Sequence, residues 1–270
     1  MKLTSSSIKS ELQMHDLEIF IDKVQVTLTN FRNEGLLVYD WRDPAREPCV
    51  ESMYDTFRKD PTSDDPETLQ KLLHYRREFP SLWETANDLE TRKDLLNWIV
   101  CNWGGINNIK CTTLKEYVKV LKSETYSSSK YFKNNISSFS KCLAFIAPSK
   151  CYVYDSRVAL ALNCLSYISN LHQSIVFKQP SSKSTYTTTL SRLIYDAVSR
   201  SNTPLDYIEY CQVVRRIAGV SDTSDKNYIA AHKIEAELFM LGGWIRDQMR
   251  PLIKAKLNDN ELEQHLRSLF

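Results

Sequence analysis

The 270-residue chain has only six glycines, no C-x-x-C pair among its seven cysteines, and no apolar run long enough to span a bilayer. Each shortage excludes a class of protein. So few glycines speak against a β protein built on tight glycine turns. Trp41, Trp83, Trp98, Trp103 and Trp244 instead accompany long runs of helix-forming residues, so an all-α, mostly helical fold is expected. An odd, scattered set of cysteines argues against a disulfide framework or a zinc ribbon and for reduced thiols. His15, His74, His172, His232 and His265 stand far apart, with no H-E-x-x-H spacing, so no metal site is expected. Walker, Rossmann and G-x-S-x-G signatures are also missing. With neither a signal peptide nor a spanning segment, the chain reads as soluble and cytoplasmic, with no membrane partner. Its 35 basic and 33 acidic residues nearly cancel, to a net +2. Any anion-binding surface must therefore come from local segregation of charge.

What is present, 42% hydrophobic residues over this length, can bury a sizeable core, as one large domain or two packed lobes. Ser5-Ser6-Ser7 are placed to cap a first helix to about Arg32, with Ile8, Leu12, Leu17, Phe20, Ile21, Val24, Leu28 and Phe31 approximating one apolar stripe, and Gly35 ends it. Leu36 to Asp40 is the best strand candidate, but Pro44 and Pro48 follow, and it reads as loop or a short extended piece. A helix from Cys49 to about Arg58 precedes a polar loop over 59–66. Pro66 opens a helix to about Glu78 and Pro80 another, and Asp88 or Thr91 caps the helix carrying Leu95 to Val100. Gly104-Gly105 reads as a Schellman-type stop, and Thr112-Thr113 as the cap of a helix from Leu114 to about Lys122. Toward the C-terminus, 177–189 reads as a surface loop, with helices over 190–200 and 204–218. Lys226 to Lys256 reads as one or two helices around Gly242-Gly243, with a bend or new start at Pro251, and Leu252 to Leu269 closes the chain.

The chain is organised around Lys133 to Leu162: a polar turn, a short apolar helix, a loop led by Pro148, and a second apolar helix whose first turn carries Asp155. Val158, Ala159, Leu162 and Leu165 fall at helical spacing, which puts Asp155 at that helix's N-terminus. By itself this is also the pattern of an ordinary N-cap, worth roughly 1 kcal/mol. The helix is expected to continue to Leu171. Ser123 to Asn135 is short of acids and rich in Ser, Lys and Asn. Such donors at a helix start suit phosphate oxygens, and they also suit a solvated loop with capping serines.

The run Y-D-S-R-V-A-x-A-L from Tyr154 to Leu162, after a helix, a short turn, a helix and a loop, resembles the core of the helix-hairpin-helix DNA glycosylase superfamily. The likeness covers Trp98 to Leu165 and is best at Asp155, Val158 and Leu162. In that family a Pro-Gly-hydrophobic-Gly hairpin grips a phosphate, and an Asp follows on the next helix in a D-x-x-V setting. Here Asn135-Ile136-Ser137 stands in place of Gly-hydrophobic-Gly.

The resemblance implies a two-lobed helix-hairpin-helix glycosylase-like architecture within a single domain, 1–270. A central lobe takes approximately 95–200, and the terminal helices, 1–94 and 201–270, form the other. It implies double-stranded DNA containing a modified or damaged base as partner and Asp155 as the catalytic carboxylate. Lys133, Asn134, Asn135, Ser137, Ser138, Ser140 and Arg157 are the implied DNA contacts, and Trp103, Asn107, Tyr152 and Tyr154 the implied pocket for a flipped base. Bifunctional members attack the sugar with a lysine on the hairpin's second helix. In this register Phe139 takes that place, with Lys141 roughly 200° around the helix from it. A monofunctional, water-using enzyme that leaves an abasic site is expected, with Lys141 a phosphate contact, or the nucleophile if the register shifts. Some relatives hold an iron-sulfur cluster through four closely spaced cysteines near the C-terminus. No further cysteine follows Cys211 here, so neither a cluster nor another cofactor is expected. The chain is expected to act as a monomer, associated with the nucleoid when on DNA. Oxidised or alkylated bases would mean repair. Bulky bases such as glucosylated hydroxymethylcytosine would mean antiviral defence, as in some bacterial glycosylases to which the chain is similar. A reading from another class stands beside this one: an all-α DNA-binding or protein-interaction module that keeps the fold without the chemistry.

Overall fold

The computed structural model describes residues 11–37, 39, 67–106, 108–123, 135–182, 184–197, 204–220 and 228–270. Among them are ten α-helices: α1 Glu11–Asn33, α2 Glu67–Thr85, α3 Leu89–Asn97, α4 Cys111–Lys122, α5 Ile136–Ile146, α6 Ser156–Ile168, α7 Thr185–Ala197, α8 Tyr207–Ile217, α9 Tyr228–Lys254 and α10 Asp259–Ser268. A π-helical stretch, Trp98–Trp103, continues α3. No strand forms among the described residues, and β structure is confined to a parallel bridge between Phe177 and Leu205. The fold is therefore mostly helical, as the composition predicts. No described helix is long and apolar enough to cross a membrane.

The chain divides into two compact units, one made of Met1–Val38, Asp155–Ser221 and Ile234–Phe270, the other of Tyr39–Tyr154 and Asp222–Lys233. The expected division sets its boundaries elsewhere, at about 95 and 200. The chain passes from one unit to the other at the Tyr154–Asp155 peptide, because α6 packs with α1 and α7 of its own unit.

In the unit that holds both chain ends, the α1 stripe from Leu17 to Phe31 is buried as its spacing requires, with Phe20 against Phe177 at 5.6 Å between ring centroids. Gly35 takes φ +69°, and Gly35 N–H donates to Arg32 O and Leu36 N–H to Phe31 O, a Schellman stop. α6 is buried from Val158 through Tyr167, as expected of a helix that is apolar all round. It ends at Ile168 and not at Leu171, because Asn170 adopts φ 57° and Leu171 N–H turns back to Ser166 O at 2.9 Å. α7 begins at Thr185, five residues ahead of the expected Leu190, with the Ser184 hydroxyl accepting from Thr187 N–H at 3.3 Å. α9 is one helix through Gly242-Gly243 and Pro251. A Cβ on Gly242 would lie 2.1 Å from Arg157 O, so only glycine permits this approach of α9 to the first turn of α6.

In the other unit, α2 continues through Pro80, where two helices were expected. The fixed φ of proline fits a helix, so the cost is one lost ladder hydrogen bond and the relief of a clash with the carbonyl one turn back. Phe79 stacks on Trp98 at 6.1 Å and meets Phe145 edge-on at 5.3 Å, and Trp103 meets Phe145 at 5.0 Å. Asp88, one of the two expected caps, closes the start of α3 by accepting from Thr91 N–H at 2.8 Å. α4 starts at Cys111, so Thr112 and Thr113 lie in its first turn and do not cap it. The expected helix at 49–58, the loop at 59–66 and the Ser5–Ser7 cap lie outside the described residues, as do Val38 and Asp40 of the strand candidate.

Candidate functional site

Asp155 is the N-cap of α6, in extended backbone (φ −115°, ψ −179°). Its Oδ1 accepts from Arg157 N–H at 2.9 Å and Val158 N–H at 3.1 Å. Among the described residues Oδ2 meets no donor, and the side chain is half-buried. The carboxylate is thus oriented through one oxygen, and the other is without a donor among the described residues. The turn beneath it is braced, since Gln179 Nε2 donates to Ser156 O at 3.0 Å and the Arg157 backbone lies against Gly242. The Arg157 guanidinium sits 4.5 Å from the centroid of the Phe239 ring, a cation–π contact.

The remaining predicted residues belong to the other unit. Asn135 is exposed at the start of α5 with φ −128° and ψ 32°, and its side chain caps no amide. Neither it nor Ser137 adopts the left-handed backbone that a glycine hairpin uses. The first turn of α5 carries no acid. Ser138 Oγ donates to Asn135 O at 3.1 Å and lies 2.8 Å from Tyr117 Oη, which leaves the tyrosine as donor to it. Ser140 is buried, accepting from Tyr154 N–H at 2.9 Å and donating to Tyr154 O at 3.3 Å, so its hydroxyl holds the loop and is closed to a DNA backbone. Phe139, at the family's lysine position, is core and meets Tyr117 edge-on at 4.9 Å. Lys141 is buried too, with Nζ donating to Ser137 O at 3.2 Å and its stem over Gly104, where a Cβ would come within 2.7 Å of Cδ. As folded, it is not a surface contact for phosphate.

Trp103, Tyr152 and Tyr154 are all buried and make core, not an open aromatic wall. Trp103 and Phe145 each lie 5.6 Å from the Arg76 guanidinium, and Tyr152 meets His232 edge-on at 4.9 Å. Lys133, Asn134 and Asn107 lie outside the described residues. Sequence reasoning missed the buried pair at the centre of this cluster. Arg76 Nη1 lies 2.6 Å from His232 Nδ1, and His232 Nε2 lies 2.9 Å from Pro148 O. Guanidinium only donates, so Nδ1 accepts and Nε2–H donates to the carbonyl, which makes this histidine neutral. The two residues are 156 positions apart, and no local pattern announces them.

Among the described residues no cluster of His, Cys, Asp and Glu forms a metal-binding group. Cys142 and Cys164 are fully buried, and burial pushes both thiols far above their ordinary pKa, which keeps them protonated and unreactive. Compared with known proteins, the chain matches no family model, no curated protein and no solved structure.

Proposed function

We propose that the chain is a DNA glycosylase that takes a modified base out of the duplex and hydrolyses its N-glycosidic bond, with Asp155 as the catalytic carboxylate. The observation that carries the reading is the Asp155 carboxylate at the head of a buried helix, with Oδ1 held by two amides and Oδ2 without a donor among the described residues. Cleavage builds positive charge on the deoxyribose. A carboxylate oriented beforehand stabilises that charge without reorganisation and directs a water to the sugar. The division of the chain supports the reading, because both ends fall in one unit and a central stretch in the other, as in the glycosylases that the sequence resembles. Core placement of Phe139 and burial of Lys141 favour water over lysine as nucleophile, hence a monofunctional enzyme that leaves an abasic site. Lys133, Asn134, Asn135, Ser137 and Arg157 remain candidates for phosphate, whereas the Ser138 and Ser140 hydroxyls are engaged within the fold. The identity of the base separates repair from antiviral defence.

Mass spectrometry of bases released from damaged, plain and hypermodified phage-type DNA tests this, with the native chain beside Asp155→Asn. A base released by the native chain alone supports the enzyme and names its substrate. The burial of Trp103, Tyr152 and Tyr154 favours a second reading, a non-catalytic module. Duplex binding with no release from any DNA would put that reading first.

A further inference from the structure

The stretch from Lys110 to Lys122 contains four lysines against a single acid, Glu116, in a chain whose charges otherwise nearly cancel. α4 turns that density into a surface. Leu114, Tyr117, Val118 and Leu121 form its buried face. Lys115, Lys119 and Lys122, at i, i+4 and i+7, therefore align along an outward edge roughly 60° wide. Lys110, Lys119 and Lys122 are exposed, and among the described residues no carboxylate lies within ion-pair reach of Lys119 or Lys122. Lys115 pairs with Glu90 at 3.0 Å in an exposed contact, and such solvent-screened pairs are weak enough to exchange for another anion. The helix dipole accounts for cations in the last turn. It disfavours Lys110 at the N-cap and does not call for Lys115.

We infer that this lysine edge of α4, centred on Lys119 and Lys122, is a docking surface for the phosphate backbone of duplex DNA. The choice of DNA rests on the glycosylase reading; the charge and its alignment do not. From Lys115 to Lys122 the edge runs about 10.5 Å at 1.5 Å per residue, long enough to reach more than one phosphate of a strand. Flexible ammonium groups at that spacing can neutralise successive phosphates as point charges, with no sequence preference. The Tyr117–Ser138 contact ties α4 to the first turn of α5, so the edge shares a unit with Asn135 and Ser137.

The test is fluorescence anisotropy of a labelled, unmodified duplex of about 20 base pairs, titrated with the full chain between about 50 and 200 mM salt. Native chain, Lys119→Gln/Lys122→Gln and the charge-conserving Lys119→Arg/Lys122→Arg are compared. The slope of log affinity against log salt should shrink by about 1.8 in the glutamine pair, about 0.9 for each lost phosphate contact, and stay native in the arginine pair. An unchanged slope in the glutamine pair overturns this inference while leaving the glycosylase reading intact. A change shared by both variants overturns it as well, since it would report altered structure and not lost charge. No duplex binding by the native chain would overturn both. Lysine-dependent binding to anionic phospholipid vesicles without duplex binding would reassign the surface to a membrane.

Discussion

At the scale of single residues, Asp155 holds two roles that substitution can separate. Asparagine keeps the Oδ1 acceptor and is as good a cap, whereas alanine loses both amide bonds at a cost of about 1 kcal/mol. Urea denaturation should accordingly place Asp155→Asn within a few tenths of a kcal/mol of native and Asp155→Ala about 1 kcal/mol below it. Both should abolish base release, which turns on the charge. A fall in activity that tracked stability and not charge would return Asp155 to a structural cap. Ser140 is the structural counterpart. Ser140→Ala removes the acceptor of the buried Tyr154 N–H and should cost about 1–3 kcal/mol in the same denaturation experiment. The capping geometry of Asp155 was legible because a cap is a local event within four residues. Burial of Ser140 and Lys141 was not, because it is decided by Tyr154 and Gly104, far along the chain.

At the scale of elements, adjacent glycines of α9 have opposite meanings. A Cβ at Gly242 would strike the Arg157 backbone, while at Gly243 nothing lies within 4 Å. Gly242→Ala should destabilise by about 1–3 kcal/mol and displace the turn that orients Asp155, lowering base release in the fraction that folds. Gly243→Ala should stabilise by about 0.5–1 kcal/mol, because alanine suits a helix interior better. Thermal denaturation of the two single variants checks the pair, and equal effects would contradict the contact. The sequence leaves open whether one helix or two run around Gly242-Gly243. Local propensity argues for a break, and the approach of α6 overrides it, since burial of both helices outweighs the small penalty of two glycines. The α1 stripe was read correctly for the converse reason: its period is a property of the element alone.

At the scale of the whole molecule, His172 links stability to pH. Burial first and the Arg267 charge second lower its pKa below the ordinary 6.5, against smaller opposing effects of Tyr167 and Glu263. The unfolded chain then binds the proton more readily than the folded one. The contribution of His172 is therefore complete above about pH 6.5 and is lost as pH falls through the folded value. Glu263, lowered chiefly by its hydrogen bond from Arg267, loses its contribution in the more acidic carboxylate range. Urea midpoints between about pH 5 and 8 should fall less steeply toward acid for His172→Gln than for the native chain. Parallel profiles would remove His172 from the linkage. By itself the sequence determined the helical class, the apolar stripe of α1, the cap at Asp155 and the absence of any membrane-spanning run, because each follows from contacts within a few residues or from composition. Only the tertiary structure decided that Trp103, Tyr152 and Tyr154 are core, that Arg76 meets His232, that Lys141 is buried, and that the chain divides at Asp155. Those outcomes depend on which distant segments share the limited interior, and no local pattern specifies that.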